Sequence, residues 1–181
     1  MSLKTKKLSL LAIGIALFVV LSMCLQVPVF ENYYLCLGYV VMAVYCWCFG
    51  TLSGTVVGIF GVILYCVVIS GLRGMPGWAL GNVVIGLAVG SCFKATRRMH
   101  AQALRLLVHV LVVTAACAVG ILLVKSATES LLYLQPMGVR IGKNFSAFVA
   151  DAVMLILSLP ICMALEKPAR SIFPNLAVPA E

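Results

Sequence analysis

Residues 103–124 read ALRLLVHVLVVTAACAVGILLV. This stretch contains one formally charged side chain, Arg105, which lies close to its beginning. Because about 20 apolar residues in a helix span the hydrocarbon core of a bilayer, the stretch predicts a transmembrane helix. It lacks the alternation of polar and apolar residues that is typical of strands in a membrane β-barrel.

Five other apolar runs along the chain have the same character, although the second is short. Together they predict six transmembrane helices, at about 8–26, 35–49, 54–70, 76–93, 103–124 and 144–165. The composition agrees, since 64% of the 181 residues are hydrophobic and 10% are charged. This composition excludes a water-soluble enzyme, a disordered chain and a nucleic-acid-binding module. We expect a single all-α membrane domain, a six-helix bundle over residues 1–181.

The distribution of the 13 Lys and Arg residues predicts the orientation of the bundle. With the N-terminus in the cytoplasm, nine of these residues lie inside and four lie outside, as the positive-inside rule requires. We therefore expect both termini in the cytoplasm and external segments at 27–34, 71–75 and 125–143. This distribution also explains the net charge of +8 without a nucleic-acid partner.

Small residues recur at four-residue spacing in several predicted helices. Gly54 and Gly58 in the third helix and Gly81 in the fourth allow helix backbones to approach closely in lipid. We interpret them as packing positions inside the bundle. The first helix carries a similar set, for which we favour the alternative of a docking surface for another membrane subunit: Ala12, Gly14 and Ala16.

Polar and aromatic residues gather at the end of the bundle that is expected to face outside. Small-ligand pockets combine apolar and aromatic walls with a few polar groups. An aromatic belt at the membrane interface is the alternative for each Tyr or Trp. Cations outnumber acids in the set, and Arg binds carboxylate or phosphate well, so we expect a ligand with an anionic group. The candidate substrate-binding residues are Asn32, Tyr33, Tyr34, Tyr39, Tyr65, Arg73, Trp78, Asn82, Arg140, Lys143, Asn144 and Asp151.

Two ionisable side chains, His109 and Asp151, lie within the predicted spans. Such residues are costly in lipid and indicate function, so an intramembrane enzyme that uses this pair is one alternative. Structural roles for both residues are the other. The chain lacks the phosphate-binding loop of ATPases and the common hydrolase and zinc-protease motifs. The eight cysteines lie in apolar runs without metal-ligand spacing. We expect no catalytic residue, metal or cofactor, and favour a binding subunit driven by other proteins.

Local patterns in the chain resemble the membrane-embedded substrate-binding (S) components of energy-coupling factor (ECF) transporters, which import vitamins. Residues 12–16, AIGIA, resemble the Ala-x-x-x-Ala docking position of that family. Residues 37–39, LGY, followed by 49–54, FGTLSG, are similar to its LGD and FGPxxGxxxG stretch, with Tyr39 in place of the acid. Residues 77–82, GWALGN, resemble its fourth helix, which bears Asn and Gly.

The resemblance covers about residues 8–165 and implies a function. An S component captures a vitamin outside a prokaryotic cell, docks on a transmembrane coupling subunit that works with two cytoplasmic ATPases, and releases the vitamin inside. The resemblance implies that residues 12–16 contact the coupling subunit and that 27–34 form a gating loop. With the external cations, we expect a vitamin such as pantothenate, or cobalamin through its phosphate. A ligand-free accessory membrane subunit is a further alternative.

Overall fold

The structure of the chain, a computed structural model, describes residues 3–24, 28–30, 33–34, 36–97, 99 and 101–178. The α-helices of this part of the chain are α1 (Leu3–Cys24), α2 (Gly38–Phe49), α3 (Thr51–Tyr65), α4 (Met75–Thr96), α5 (Gln102–Cys117), α6 (Ser126–Tyr133) and α7 (Met137–Ile172). A π-helical turn over Cys66–Ser70 extends α3, and another over Ala118–Lys125 joins α5 to α6. Two short antiparallel strands, β1 (Pro28–Phe30) and β2 (Tyr33–Tyr34), lie between α1 and α2.

The lengths and surfaces of these helices are those of a membrane protein. Within the described residues, five helical segments are long and apolar enough to cross a bilayer, and α2 is a shorter apolar helix. Large apolar side chains such as Leu107, Leu111 and Leu157 are exposed on the outer surface. A surface of this kind is typical of a face that meets lipid. The prediction of an all-α membrane protein is confirmed.

Helix α2 lies at the centre of the bundle. Nine of its 12 residues are buried, and it packs against α1, α3, α4 and α7. Its side chains Tyr39, Met42 and Trp47 are among the largest fully buried groups of the described chain. A helix that is apolar on all sides is expected in such a position, because it has no face for water.

Glycines allow α3 and α4 to lie against their neighbours at short distance. A Cβ atom added at Gly54 would lie 2.5 Å from the backbone nitrogen of Cys46, and one at Gly81 would lie 2.6 Å from the carbonyl oxygen of Gly120. These contacts are to backbone atoms, which cannot move aside as a flexible side chain can. The interpretation of Gly54 and Gly81 as packing positions inside the bundle is confirmed.

The largest correction to the predicted elements concerns 125–143, which was expected to be an external loop. The segment is mostly helical, and only residues 134–136 separate α6 from α7. Its charged residues suggested exposure to solvent, but Glu129 pairs with Lys125 and, across the two helices, with Arg140. These ion pairs offset part of the cost of burying the three groups, so a helical segment is compatible with them.

The ends of several helices also differ from the prediction. The runs expected at 8–26, 76–93 and 144–165 are the helices Leu3–Cys24, Met75–Thr96 and Met137–Ile172. Lys residues near these ends, such as Lys94, favour the helical conformation and reach the membrane interface with long side chains. The first of these helices therefore begins before its apolar run, the second ends after its apolar run, and the third extends beyond its apolar run in both directions.

The bundle has two ends. Residues 28–30, 33–34, 36, 71–78 and 125–144 form the hairpin end, which carries the β1–β2 hairpin. Residues 3–10, 46–54, 90–97, 99, 101–105 and 162–178 form the opposite end.

Candidate functional site

Four of the predicted site residues form one hydrogen-bonded and aromatic group near the hairpin end. The Tyr39 hydroxyl donates to Oδ1 of Asn82 at 2.8 Å and accepts from Nε1 of Trp78 at 2.8 Å. Nδ2 of Asn82 donates to the carbonyl of Gly58 at 3.0 Å. The ring of Tyr65 packs edge-on against that of Trp78, with centroids 5.8 Å apart. The network fixes Trp78 and Tyr39 in defined positions, because each buried polar group has a partner.

A second group is built around Glu129, which is 5% exposed. Its carboxylate lies 4.0 Å from Nζ of Lys125 and 3.7 Å from Nη1 of Arg140. Nδ2 of Asn144 donates to Oε2 of Glu129 at 3.0 Å and to Oγ of Ser126 at 3.0 Å. Arg140 and Asn144 are thus brought together as predicted, but around an acid that the sequence analysis had not assigned to the site.

Lys125 and Asp151 connect the two groups. Nζ of Lys125 lies 5.9 Å from the centroid of the Trp78 ring, a cation–π contact. Asp151 is 6% exposed and is close enough to Lys125 and Tyr39 to interact electrostatically with both. The cation at Lys125 therefore has two carboxylates near it.

A cavity of about 510 Å³ opens at the hairpin end beside the second group. Gly74, Glu129, Tyr133, Gln135 and Arg140 line it, and the Arg140 guanidinium carbon lies 4.3 Å from the centroid of the Tyr133 ring. The volume is within the range of about 300–1,000 Å³ that is typical of small-ligand pockets.

Two buried polar atoms of this cavity lining make no hydrogen bond within the described chain. They are Nε of Arg140, a donor, and Oε1 of Gln135, an acceptor. A buried polar group without a partner costs about 1–3 kcal/mol. A ligand that offers both an acceptor and a donor would remove this cost.

Several predicted site residues are not placed in these groups. Lys143 is exposed on the surface of α7, one residue before the buried Asn144. Asn32 lies outside the described residues, as do the side chains of Tyr33, Tyr34 and Arg73. The backbone of Tyr33 and Tyr34 forms β2, and that of Arg73 forms part of a 3-10 turn.

His109 and Asp151 do not form the pair that an intramembrane enzyme requires. Nε2 of His109 lies 3.4 Å from the carbonyl oxygen of Leu155, and its ring stacks on Phe93 with centroids 5.2 Å apart. The described neighbours of Asp151 are instead Tyr39 and Lys125. His109 is therefore a packing residue of the α5–α7 interface.

The three candidate docking residues of α1 divide between two faces. Ala12 and Ala16 are exposed, whereas Gly14 is buried. A Cβ atom at Gly14 would lie 2.6 Å from a ring carbon of Tyr45 and 2.8 Å from Val57. Gly14 is thus part of the packing between α1, α2 and α3 and is not on the exposed face.

Sequence reasoning missed Lys125, Ser126, Glu129, Tyr133 and Gln135 as parts of the site. One signal was present, since Lys125 and Glu129 are four residues apart and such opposite charges pair on a helix. The sequence does not indicate that Tyr133 and Gln135 line a cavity. The opposite wall of that cavity is Arg140, which belongs to another helix, α7.

Comparison with known proteins identifies the family of this chain. The profile of the family described as ECF-type riboflavin transporter, S component, matches residues 2–167. No curated protein sequence gave a significant match. ECF S components are membrane subunits that bind small-molecule substrates and dock on other ECF transporter components, and they are not enzymes. The intramembrane-enzyme alternative is therefore wrong, and this chain, a multi-pass membrane protein, belongs to the family of ECF-type riboflavin transporter S components.

Proposed function

We propose that this chain captures riboflavin, or a closely related flavin, at the hairpin end and delivers it to the cytoplasm. The family description supplies the first candidate ligand. The observation that carries the proposal is the cavity of about 510 Å³ at the hairpin end, whose lining includes an unpartnered buried donor and an unpartnered buried acceptor.

The chemistry of a flavin complements these atoms. Its planar aromatic ring system ends in a pyrimidinedione edge, which carries carbonyl acceptors beside an N–H donor. Nε of Arg140 would donate to a carbonyl of this edge, and Oε1 of Gln135 would accept from the N–H. Tyr133, held under the Arg140 guanidinium, offers an aromatic surface for the ring system.

The arrangement of charges favours a neutral ligand over the anionic one that the sequence suggested. The expectation of pantothenate or cobalamin depended on external cations that outnumber the acids. Glu129 lies beside both Lys125 and Arg140, and Asp151 interacts with Lys125, so two carboxylates balance these two cations. An anionic ligand would also meet the repulsion of the Glu129 carboxylate, which lines the cavity.

The proposal includes an orientation and a set of partners. The positive-inside distribution of Lys and Arg puts both termini in the cytoplasm of a prokaryotic cell, with the hairpin end facing out. Segment 27–34, of which the structure describes residues 28–30 and 33–34, would then form the gating loop over the site. The exposed residues Ala12 and Ala16 would contact a transmembrane coupling subunit that works with two cytoplasmic ATPases.

A binding titration tests the assignment of riboflavin as the ligand. The purified chain is titrated into riboflavin while the quenching of flavin fluorescence is followed. The binding of pantothenate and of cobalamin is measured by calorimetry. We expect saturable binding of riboflavin, and Gln135→Leu should weaken it about tenfold because a buried hydrogen bond is lost. Gln102→Leu is the matched control, since Gln102 is exposed at the start of α5.

The outcomes separate the hypotheses. Saturable binding of pantothenate or cobalamin without binding of riboflavin would preserve vitamin capture but overturn the flavin assignment. Absence of saturable binding by all three would favour the ligand-free accessory subunit. Equal effects of the Gln135→Leu and Gln102→Leu substitutions would show that the ligand binds elsewhere.

A further inference from the structure

The turn between α6 and α7 has an unusual backbone conformation. Leu134 has φ of 53° and ψ of 35°, in the left-handed region, and it is the only non-glycine residue with positive φ among those that the structure describes. Leucine adopts this conformation at a cost in free energy, so such a residue persists only where neighbouring groups hold it. Its own side chain is 92% exposed and supplies no packing that would do so. The groups that hold the turn therefore belong to other residues.

Two features restrain this turn. Oγ of Ser130, in the last turn of α6, donates to the main-chain carbonyl of Gln135 at 2.6 Å and so closes the turn from the α6 side. Pro136 follows at the start of α7, where its carbonyl accepts from the amides of Val139 at 3.1 Å and Arg140 at 3.3 Å. A residue before proline is largely restricted to extended backbone conformations. Gln135 is thus fixed by the hydrogen bond to its carbonyl and by the proline that follows it.

The restrained residue is the one that offers an acceptor to the cavity at the hairpin end. Gln135 lines this cavity, and its Oε1 is buried without a hydrogen-bond partner in the described chain. Ser130 is not among the described lining residues, and its hydroxyl is engaged with the carbonyl of Gln135. Ser130 can therefore act on a ligand through the position of Gln135 and not by contact.

We propose that Ser130 is a positioning residue for ligand binding, whose hydroxyl holds the α6–α7 turn in the conformation that presents the amide oxygen of Gln135 to the ligand. This inference rests on the proposed function, which assigns Oε1 of Gln135 to the N–H of a flavin. The hydrogen bond of Ser130 is already formed in the ligand-free chain. The turn therefore does not have to become ordered during binding, and that part of the entropic cost is removed from the affinity.

Riboflavin titrations of the full-length purified chain test the inference. We expect Ser130→Ala to weaken binding about fivefold, because the turn is no longer ordered in advance, and Ser130→Thr, which retains the hydroxyl, to change it less than about twofold. The matched control is Thr128→Val. It removes a hydroxyl of the same helix that donates to the carbonyl of Val124 at 2.8 Å, away from the turn. Binding by the control should change less than about twofold, because the turn stays ordered.

A double variant separates positioning from a general loss of structure. If Ser130 acts through Gln135, the chain with Ser130→Ala and Gln135→Leu should bind riboflavin as weakly as Gln135→Leu alone, about tenfold below the wild type. Independent effects would multiply to about fiftyfold, and that result would overturn the proposal. Equal losses in Ser130→Ala and Ser130→Thr, or in Ser130→Ala and Thr128→Val, would overturn it as well.

Hydrogen exchange of the ligand-free chain distinguishes a failure of this inference from a failure of the flavin assignment. In Ser130→Ala, the amides of Val139 and Arg140 should exchange at least about threefold faster than in the wild type, and in Thr128→Val they should not. Mass spectrometry of peptides that cover residues 134–141 measures this exchange. Unchanged exchange in Ser130→Ala overturns the proposal whether or not riboflavin binds. Faster exchange, in a chain whose wild type does not bind riboflavin, would support the hold of Ser130 on the turn and overturn the flavin assignment alone.

Discussion

Oε2 of Glu129 lies 3.7 Å from Nη1 of Arg140, an ion pair that joins α6 to α7 across residues 134–136. The same carboxylate lies 4.0 Å from Nζ of Lys125 and accepts from Asn144. One acid thus joins two helices at the hairpin end and pairs with two cations.

Replacing this acid should destabilise the chain. Glu129→Gln keeps the size of the side chain but removes the carboxylate that pairs with Lys125 and with Arg140, both of which are largely buried. We expect a loss of about 3 kcal/mol in the free energy of unfolding. Unfolding by SDS in mixed micelles, followed by circular dichroism, measures it. The control is Lys143→Gln on the exposed surface of α7, and equal stabilities of the two variants would contradict the role of Glu129.

The hydroxyl of Tyr39 should contribute more to stability than that of a comparable tyrosine. Tyr39→Phe leaves both Nε1 of Trp78 and Oδ1 of Asn82 without the hydroxyl as partner, at a cost of about 2 kcal/mol. Tyr45→Phe removes a single hydrogen bond, to the carbonyl of Leu10, and should cost about 1 kcal/mol or less. The same SDS titration compares them. A larger loss in Tyr45→Phe would show that the Tyr39 network is not a stabilising one.

Substitutions in α1 should separate docking from folding. Ala12→Leu with Ala16→Leu adds bulk on an exposed face, so the chain should fold normally but lose its coupling subunit on co-purification. Gly14→Leu should instead reduce the yield of folded protein, because a side chain there overlaps Tyr45. Size-exclusion chromatography reports the folding of both variants. Retention of the coupling subunit by the double variant would exclude this face as the docking surface.

The thiol of Cys36, just before α2, should react slowly with maleimides. Its side chain is buried and its sulfur lies 3.2 Å from Oγ of Ser22, so a maleimide reaches the thiol only after the structure opens locally. The alkylation of a chain that retains Cys36 alone should therefore be at least about tenfold slower than that of a chain with an exposed thiol, and unfolding in SDS should abolish the difference. A chain that retains the exposed Cys24 alone is the comparison. Equal alkylation rates of the two chains before unfolding would contradict this prediction.

The fold was largely predictable because apolar length is a strong signal in a membrane protein. Each predicted span corresponds to an observed helix, including the short α2. The segment 125–143 was the exception, since its charged residues suggested solvent. Only the packing of α6 on α7 shows that Glu129 meets Arg140, and a pairing between residues that far apart in the chain leaves no periodic pattern in the sequence.

The residue types of the candidate site at the hairpin end were predictable, but their arrangement was not. Tyr39, Trp78 and Asn82 were identified from the aromatic and amide character of one end, and they are in contact. The charge of the ligand was not predictable, because counting cations does not show which acids pair with them. Gln135 carries no distinguishing sequence feature, yet its position at the turn before α7 puts it in the cavity lining.

The short central helix has a consequence for the membrane around it. The 12 residues of α2 measure about 18 Å along the helix axis, whereas the hydrocarbon core of a bilayer is about 30 Å thick. The chain before and after α2 therefore lies at depths where the outer helices are still surrounded by acyl chains, and its backbone groups need partners within the protein. The amide of Val178, which donates to the carbonyl of Cys48 at 2.8 Å, is one such partner. At the centre of the bundle, the length covered by the apolar helix α2 is thus smaller than the thickness of the hydrocarbon core that surrounds the protein.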